Sequence, residues 1–254
     1  MHGRPLGEPA PSREEALSSY VLITGANGEI GRAVARAFAA EGATLALTDL
    51  NPAALESFAA ELPTEAHVFR HDVANGEETA ELARQLTERF GALDTVITSA
   101  GLYEHLPFAT LKPGDWARGI AINLDGVYLT LQAVLPLIRE GGSIINIASM
   151  AGHRGSADHA PYASAKGGVL ALTRSLAQEL GPRIRVNAIS PGLIDTRMMQ
   201  SLAPDRVQKA IEGLPLRRLG RVEEVASVAV FLAGPGASYI SGEAIQVNGG
   251  LYMA

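Results

Sequence analysis

Apolar residues fall in short unbroken runs along this chain, and each run is followed by a stretch with helical spacing. Tyr20–Thr24 is the first run and leads into glycines, which reads as a buried strand. Ile30–Ala40 follows as a helix with Val34, Ala35 and Phe38 on one side. Thr44–Asp49 is the next strand. Pro52–Leu62 is the next helix, with Pro52 in its first turn and Asn51 as its cap. His67–His71, Leu93–Ser99, Ser143–Ala148, Ile184–Ile189 and Ala244–Val247 read as further strands. Gly76–Phe90, Pro113–Ile138, Tyr162–Leu180 and Glu223–Leu232 read as further helices. Near-continuous apolar strands alternating with helices predict an α/β fold. Its centre is a doubly wound parallel sheet of about seven strands with helices on both faces.

Composition narrows the function. With 254 residues, 47% hydrophobic and 19% charged, the chain can build one large core. A net charge of −6 and the lack of a basic tract argue against a nucleic-acid partner. There are no cysteines, so disulfides, thiolate catalysis and cysteine metal sites are excluded, and a reducing cytoplasm suits the chain. No apolar run approaches the ~18 residues of a membrane span. Residues 1–19, with Pro5, Pro9 and Pro11, are expected to form a flexible arm ahead of a single domain covering 20–254.

Two places carry chemistry. Thr24-Gly25-Ala26-Asn27-Gly28-Glu29-Ile30-Gly31 lies between the first strand and the first helix. There glycines let the backbone approach a pyrophosphate at a helix N-terminus. Asp49 ends the second strand, where a carboxylate accepts both ribose hydroxyls of an adenine nucleotide and repels a 2′-phosphate. Neither Gly28 nor Leu50 is cationic, so NAD is expected over NADP. The second place is Tyr162 and Lys166, one helical turn apart and on one face. An ammonium beside a phenol favours the phenolate and would make Tyr162 an acid/base near neutral pH. Ser149 follows the fifth strand, at the end where open sheets bind ligands. A hydrolase elbow is absent around Ser149. His67 and His71 share a strand face without a third ligand nearby, so no metal is expected.

In that order, these motifs resemble the short-chain dehydrogenase/reductase family, in its compact single-domain, 3-oxoacyl-reductase-like branch, from about Tyr20 onward. The resemblance rests on the glycine turn, Asp49, Asp72-Val73, Ala100-Gly101, Asn123, Ser149, Tyr162 with Lys166, Pro191-Gly192, Thr196 and Asn248-Gly249-Gly250. It implies a Rossmann-type domain in which Gly25, Asn27, Gly28, Ile30, Gly31, Asp49 and Leu50 hold one end of the dinucleotide. By the same resemblance Asp72 and Val73 meet the adenine, and Ser99, Ala100 and Gly101 pass beside the adenine ribose. Pro191, Gly192, Ile194 and Thr196 would flank the nicotinamide, and Lys166 would orient its ribose. Ser149, Tyr162 and Lys166 would be catalytic. Asn123 would join them by opening its helix and holding a water that touches Lys166.

The implied reaction is hydride transfer between NAD and a secondary alcohol or ketone, with Tyr162 moving the proton. An NADPH-dependent 3-oxoacyl thioester reductase is an alternative, as is a catalytically weak dinucleotide-binding regulator or scaffold. A non-redox lyase is disfavoured by Lys166, Asp49 and Thr196. Residues 197–215 would form a substrate lid with Met198, Met199, Leu202 and Leu214 beneath and Arg197, Arg206 and Lys209 to attract an anion. Tyr103, His105, His153, Arg154 and His159 could reach the pocket. The small residues of the Tyr162 helix (Ala163, Ser164, Ala165, Gly167, Gly168, Ala171) suggest close helix contact in a homotetramer.

Two residues depart from the family pattern. Glu29 stands where the compact branch has its middle glycine, and it is expected to turn to solvent near Arg32. Thr98-Ser99 replaces two asparagines and is expected to brace the sheet less firmly.

Overall fold

Strands and helices alternate as the apolar pattern predicts. The computed structural model describes residues 19–197 and 204–253. In order come β1 (Tyr20–Thr24), α1 (Glu29–Ala40), β2 (Thr44–Asp49), α2 (Pro52–Ala59), β3 (Ala66–Arg70), α3 (Gly76–Phe90) and β4 (Leu93–Thr98). Then follow α4 (Pro113–Ile120), α5 (Gly126–Val134), β5 (Ile138–Ile147), α6 (Ala151–Arg154) and α7 (Ala160–Leu180). β6 (Ile184–Pro191), α8 (Pro204–Glu212), α9 (Val222–Ala233) and β7 (Ala244–Val247) close the chain. All seven strands are parallel, in the order β3-β2-β1-β4-β5-β6-β7. The order reverses between β1 and β4, which opens a crevice at their carboxyl ends.

Two apolar layers cover the sheet. On one face α1, α2 and α9 bury Val34, Phe38, Leu55, Phe58, Val225 and Leu232. On the other, α3, α5 and α7 bury Leu82, Leu86, Val127, Leu131, Val169 and Leu170. Asn51 caps α2, its side chain accepting from the Ala54 amide at 3.4 Å.

The stretch expected as one helix over Pro113–Ile138 is broken. A π turn at Ala121–Asp125 separates α4 from α5, and the chain leaves the helix around Pro136. Ile138 already pairs with Leu93, so β5 begins five residues before the expected Ser143, with a register shift beside Leu93. By length and composition the 25-residue stretch Pro113–Leu137 could also cross a bilayer, contrary to the sequence expectation. Its inward side is core, and Trp116 and Tyr128 on it are exposed. The short α6 and helix α8 were not expected from the pattern. Met198, Met199 and Leu202, like nearly all of the expected arm, lie outside the described residues.

Thr98 corrects another expectation. Its hydroxyl donates to Asn146 Oδ1 at 2.8 Å, Asn146 Nδ2 donates to Thr173 Oγ1 at 3.0 Å, and Thr173 donates to the Val169 carbonyl at 2.8 Å. This fully buried ladder ties β4 to β5 and α7, so the sheet is braced without the asparagines. Thr98→Val should leave Asn146 Oδ1 unpaired and lower stability by about 1–3 kcal/mol in urea unfolding. An unchanged midpoint would show that the ladder does not brace the sheet.

Candidate active site

A cavity of about 370 Å³ opens at the carboxyl ends of β1, β4, β5 and β6. One end of its lining is the glycine turn, contributing Gly28, Ile30 and Gly31. Gly25 has φ +62°, and a Cβ there would lie 2.5 Å from the Ala100 Cα. At Gly31 a Cβ would lie 2.4 Å from the Gly25 carbonyl oxygen, so neither position has room for a side chain. At Gly28 the nearest atom would be 3.3 Å away, a tighter-than-usual contact that small adjustments relieve. Thr24 locks the turn to β4, its hydroxyl accepting from the Ser99 and Ala100 amides at 3.1 and 3.4 Å.

Ser99 and Gly101 line the middle of the cavity, with Ser149, Tyr162 and Lys166 beyond them. Pro191, Gly192, Ile194 and Thr196 form the wall after β6. The structure thus brings together most of the residues expected at the reacting end. Asp49, Leu50, Asp72 and Val73 lie outside the enclosed cavity, as do Gly25, Asn27 and Ala100 behind the turn. Asp49 remains aimed at that turn: its oxygens accept from the Asn27 amide at 3.2 Å and the Asn51 amide at 3.3 Å. Asp72 closes its own turn by accepting from the Ala74 amide at 3.0 Å. Val73 is buried against Gly126.

Lys166 is fully enclosed, and its ammonium donates to the Ile147 carbonyl at 2.7 Å. The same ammonium lies 5.7 Å from the centre of the Tyr162 ring. Burial pushes Lys166 down to about 8 from its usual 10.5. Tyr162 differs from expectation. Burial pushes its phenol up, a hydrogen bond from Ser149 pulls it down, and the neighbouring Tyr103 adds to the rise. The lysine alone does not make a phenolate here, because desolvation acts against both charged forms. Ser149 Oγ also accepts from the Ala151 amide at 3.1 Å, which fixes its side chain at the start of α6.

Asn123 sits in the π turn and is fully buried. Its amide nitrogen donates to the Gly119 and Leu102 carbonyls at 2.9 Å, and its oxygen accepts from the Leu102 amide at 2.9 Å. The side chain is therefore engaged by the protein, which leaves the main chain for any part in proton exchange.

Two other expectations change. Glu29 does not pair with Arg32 but lines the cavity, accepting from the Arg197 amide at 2.9 Å. Arg32 instead donates to the Asn27 carbonyl at 3.2 Å and the Ala54 carbonyl at 3.1 Å, and covers the Phe58 ring. His153 points into the body rather than to substrate. Its Nε2 lies 3.0 Å from Ser190 Oγ and accepts from the Gln246 amide at 2.9 Å, while Tyr252 stacks on the ring. The small residues Gly167 and Gly168 pack within the chain, against Gly152 and Leu124.

Beside Tyr162, Tyr103 stacks on His159 at 4.0 Å and meets the Tyr162 ring edge-on at 4.8 Å. Ser156 and Leu193 also line the cavity. Neither was singled out in the sequence, where a serine or leucine in a loop carries no distinctive signal. His71 lies between Thr48 and Thr79, and burial lowers its pKa. His67, within β3, pairs with Glu65, while His71 lies just past the strand.

A parallel seven-stranded sheet with a glycine turn after β1 and a Ser, Tyr and Lys set at the strand ends defines a dinucleotide-dependent oxidoreductase. The family model described as enoyl-(acyl carrier protein) reductase matches residues 25–252. The 3-oxoacyl-[acyl-carrier-protein] reductase FabG of Thermotoga maritima is 36% identical, over 91% of this chain and 97% of that protein. The (3R)-3-hydroxyacyl-CoA dehydrogenase of Homo sapiens is 38% identical, over 93% of this chain and 96% of that one. A crystal structure from Brucella melitensis, titled short-chain dehydrogenase/reductase SDR:glucose/ribitol dehydrogenase, has a TM-score of 0.90 and 43% identity. That match covers 93% of this chain and 97% of the other. The chain belongs to the short-chain dehydrogenase/reductase family of oxidoreductases, which act on CH–OH and keto groups of small molecules with a nicotinamide cofactor.

The buried lysine makes a stability prediction. Unfolded, Lys166 keeps its proton up to about pH 10.5; folded, it releases it near 8. Between those values the unfolded chain binds more protons, so the Lys166 contribution to stability rises with pH, by roughly 3 kcal/mol at most. Unfolding free energies of wild type and Lys166→Met, compared at pH 7.5 and 10 without coenzyme, should diverge in favour of wild type at the higher pH. A pH-independent difference would mean that Lys166 is hydrated.

Proposed function

We propose that this protein is an NAD-dependent oxidoreductase that interconverts a secondary alcohol and a ketone, with Tyr162 as acid/base. The observation that carries the reading is the single cavity wall joining Gly28 and Gly31 to Ser149, Tyr162 and Lys166. The fit to a dinucleotide is supported by the missing side chains at that wall and by Gly101, whose Cβ would lie 3.0 Å from Asn123. In this reading residues 20–254 act as one dinucleotide-binding unit.

The nicotinamide supplies or accepts the hydride when bound. Ser149 donates to the substrate oxygen and holds it beside the Tyr162 hydroxyl. Tyr162 takes the alcohol proton in oxidation and returns it in reduction. Lys166 has one N–H on Ile147, which leaves two for ribose hydroxyls and sets the distance between sugar and phenol. Since burial raises the Tyr162 pKa, deprotonation requires positive charge close to the phenol, and both Lys166 and an oxidised nicotinamide provide it.

Asp49 supports NAD. Arg32, which contacts the turn, is held by the Asn27 and Ala54 carbonyls, so among the described residues a 2′-phosphate would meet the Asp49 carboxylate with that cation already committed. The second reading, an NADPH-dependent 3-oxoacyl thioester reductase, is favoured by the names of the similar reductases. Fluorescence titration should give at least about ten-fold tighter binding of NADH than of NADPH, given like-charge repulsion at Asp49. The reverse order would favour the second reading.

Turnover on an alcohol and ketone panel should fall at least about 100-fold in kcat on Tyr162→Phe, with NADH affinity little changed. Near wild-type turnover by that variant would remove Tyr162 from the chemistry. For assembly, exposed Trp116 and Tyr128 on the Pro113–Leu137 stretch, with exposed Ser164 and Ala171 on α7, support a homotetramer built on these helices. In this reading the enzyme is cytoplasmic, which the cysteine-free sequence suits.

A further inference from the structure

The wall after β6 is anchored on its outer side and tied on its inner side by Glu29. Gly192 donates to the Val247 carbonyl at 2.9 Å, Asp195 donates to the Gly220 carbonyl at 2.7 Å, and Gly220 returns to Leu193 at 2.9 Å. These bonds hold the segment only as far as Asp195. The Thr196 hydroxyl turns back to its own neighbour, the Ile194 carbonyl, at 3.3 Å. The next residue, Arg197, gives its amide to Glu29 Oε2 at 2.9 Å, with its guanidinium Nε 3.9 Å from the other carboxylate oxygen. Glu29 is the first residue of α1 and lines the cavity together with Thr196. One carboxylate thus bridges the two sides of the cavity, between residues 168 apart in the chain.

We propose that Glu29 is a positioning residue: it latches the Ile194–Arg197 segment to the N-terminus of α1, fixing Thr196 for the nicotinamide half of the coenzyme. The inference rests on the dinucleotide reading above and adds to it a residue that the family pattern does not supply. A carboxylate at a pyrophosphate-binding turn repels the ligand. Pairing with the Arg197 amide and guanidinium turns that charge away from the turn and uses it as an acceptor. The contact should therefore help the nicotinamide half while contributing nothing favourable to the pyrophosphate half. Opposite effects on the two halves separate a latch from a general loss of structure.

Calorimetric titration of the full chain with NADH and with ADP-ribose, which lacks the nicotinamide, makes the test. Glu29→Ala should weaken NADH about ten-fold relative to ADP-ribose, with ADP-ribose unchanged or tighter. Glu29→Gln keeps an acceptor for the Arg197 amide and should keep the wild-type ratio. Glu29→Asp keeps the charge but stops one methylene short of the Arg197 amide and should reproduce the Glu29→Ala ratio, which decides the matter if Glu29→Ala does not fold. Equal changes for both ligands in Glu29→Ala and Glu29→Asp would overturn the latch. Wild-type protein that binds neither ligand would instead overturn the dinucleotide reading on which it stands.

Discussion

A positive charge held away from water organises the deep end of the cavity. Lys166 is enclosed by α7, the end of β5 and the Gly101 loop, and one carbonyl, that of Ile147, accepts a hydrogen bond from it. Taking an ammonium out of water is unfavourable, so the remaining N–H groups have a strong drive to find oxygen partners. The parallel sheet makes the enclosure possible. It brings the ends of β4 and β5 side by side, and the Thr98–Asn146–Thr173 ladder holds them against the helix that carries the lysine.

The phenol beside it is subject to the same exclusion of water, with the opposite result. Burial works against the charged form of each group, yet Lys166, lowered only to about 8, stays cationic at neutral pH while the phenol keeps its proton. In this arrangement, the ionisation of both groups depends on the charges the cavity contains. The edge-on Tyr103 and the Ser149 hydroxyl then act as adjustments of opposite sign around that setting.

Much of this was legible in the chain because backbone demands write themselves as residue types. Gly25 and Gly31 stand where a Cβ would collide with backbone, and Asn51 stands where a helix needs its amides capped. The one-turn spacing of Tyr162 and Lys166 identified their shared face. Long-range partnerships were not legible. The Thr98 ladder joins three elements far apart in sequence, and it replaces the expected asparagines with a hydroxyl that bonds Asn146. Glu29 found Arg197 rather than Arg32 because Arg32 is claimed by Asn27 and Ala54. The break at Ala121–Asp125 was invisible to an apolar pattern that runs smoothly through it, and the early start of β5 follows from Ile138 reaching Leu93.

The His153 cluster has a consequence for substitutions at Tyr252. Tyr252 stacks on a ring that is fastened to Ser190 and Gln246, and Asn248 clasps the Tyr252 carbonyl at 2.9 Å. The last stretch of chain therefore leans on the helix that begins just after Ser149. Any substitution that displaces Tyr252 would remove the partner stacked on His153, in the helix whose first amide donates to Ser149 Oγ.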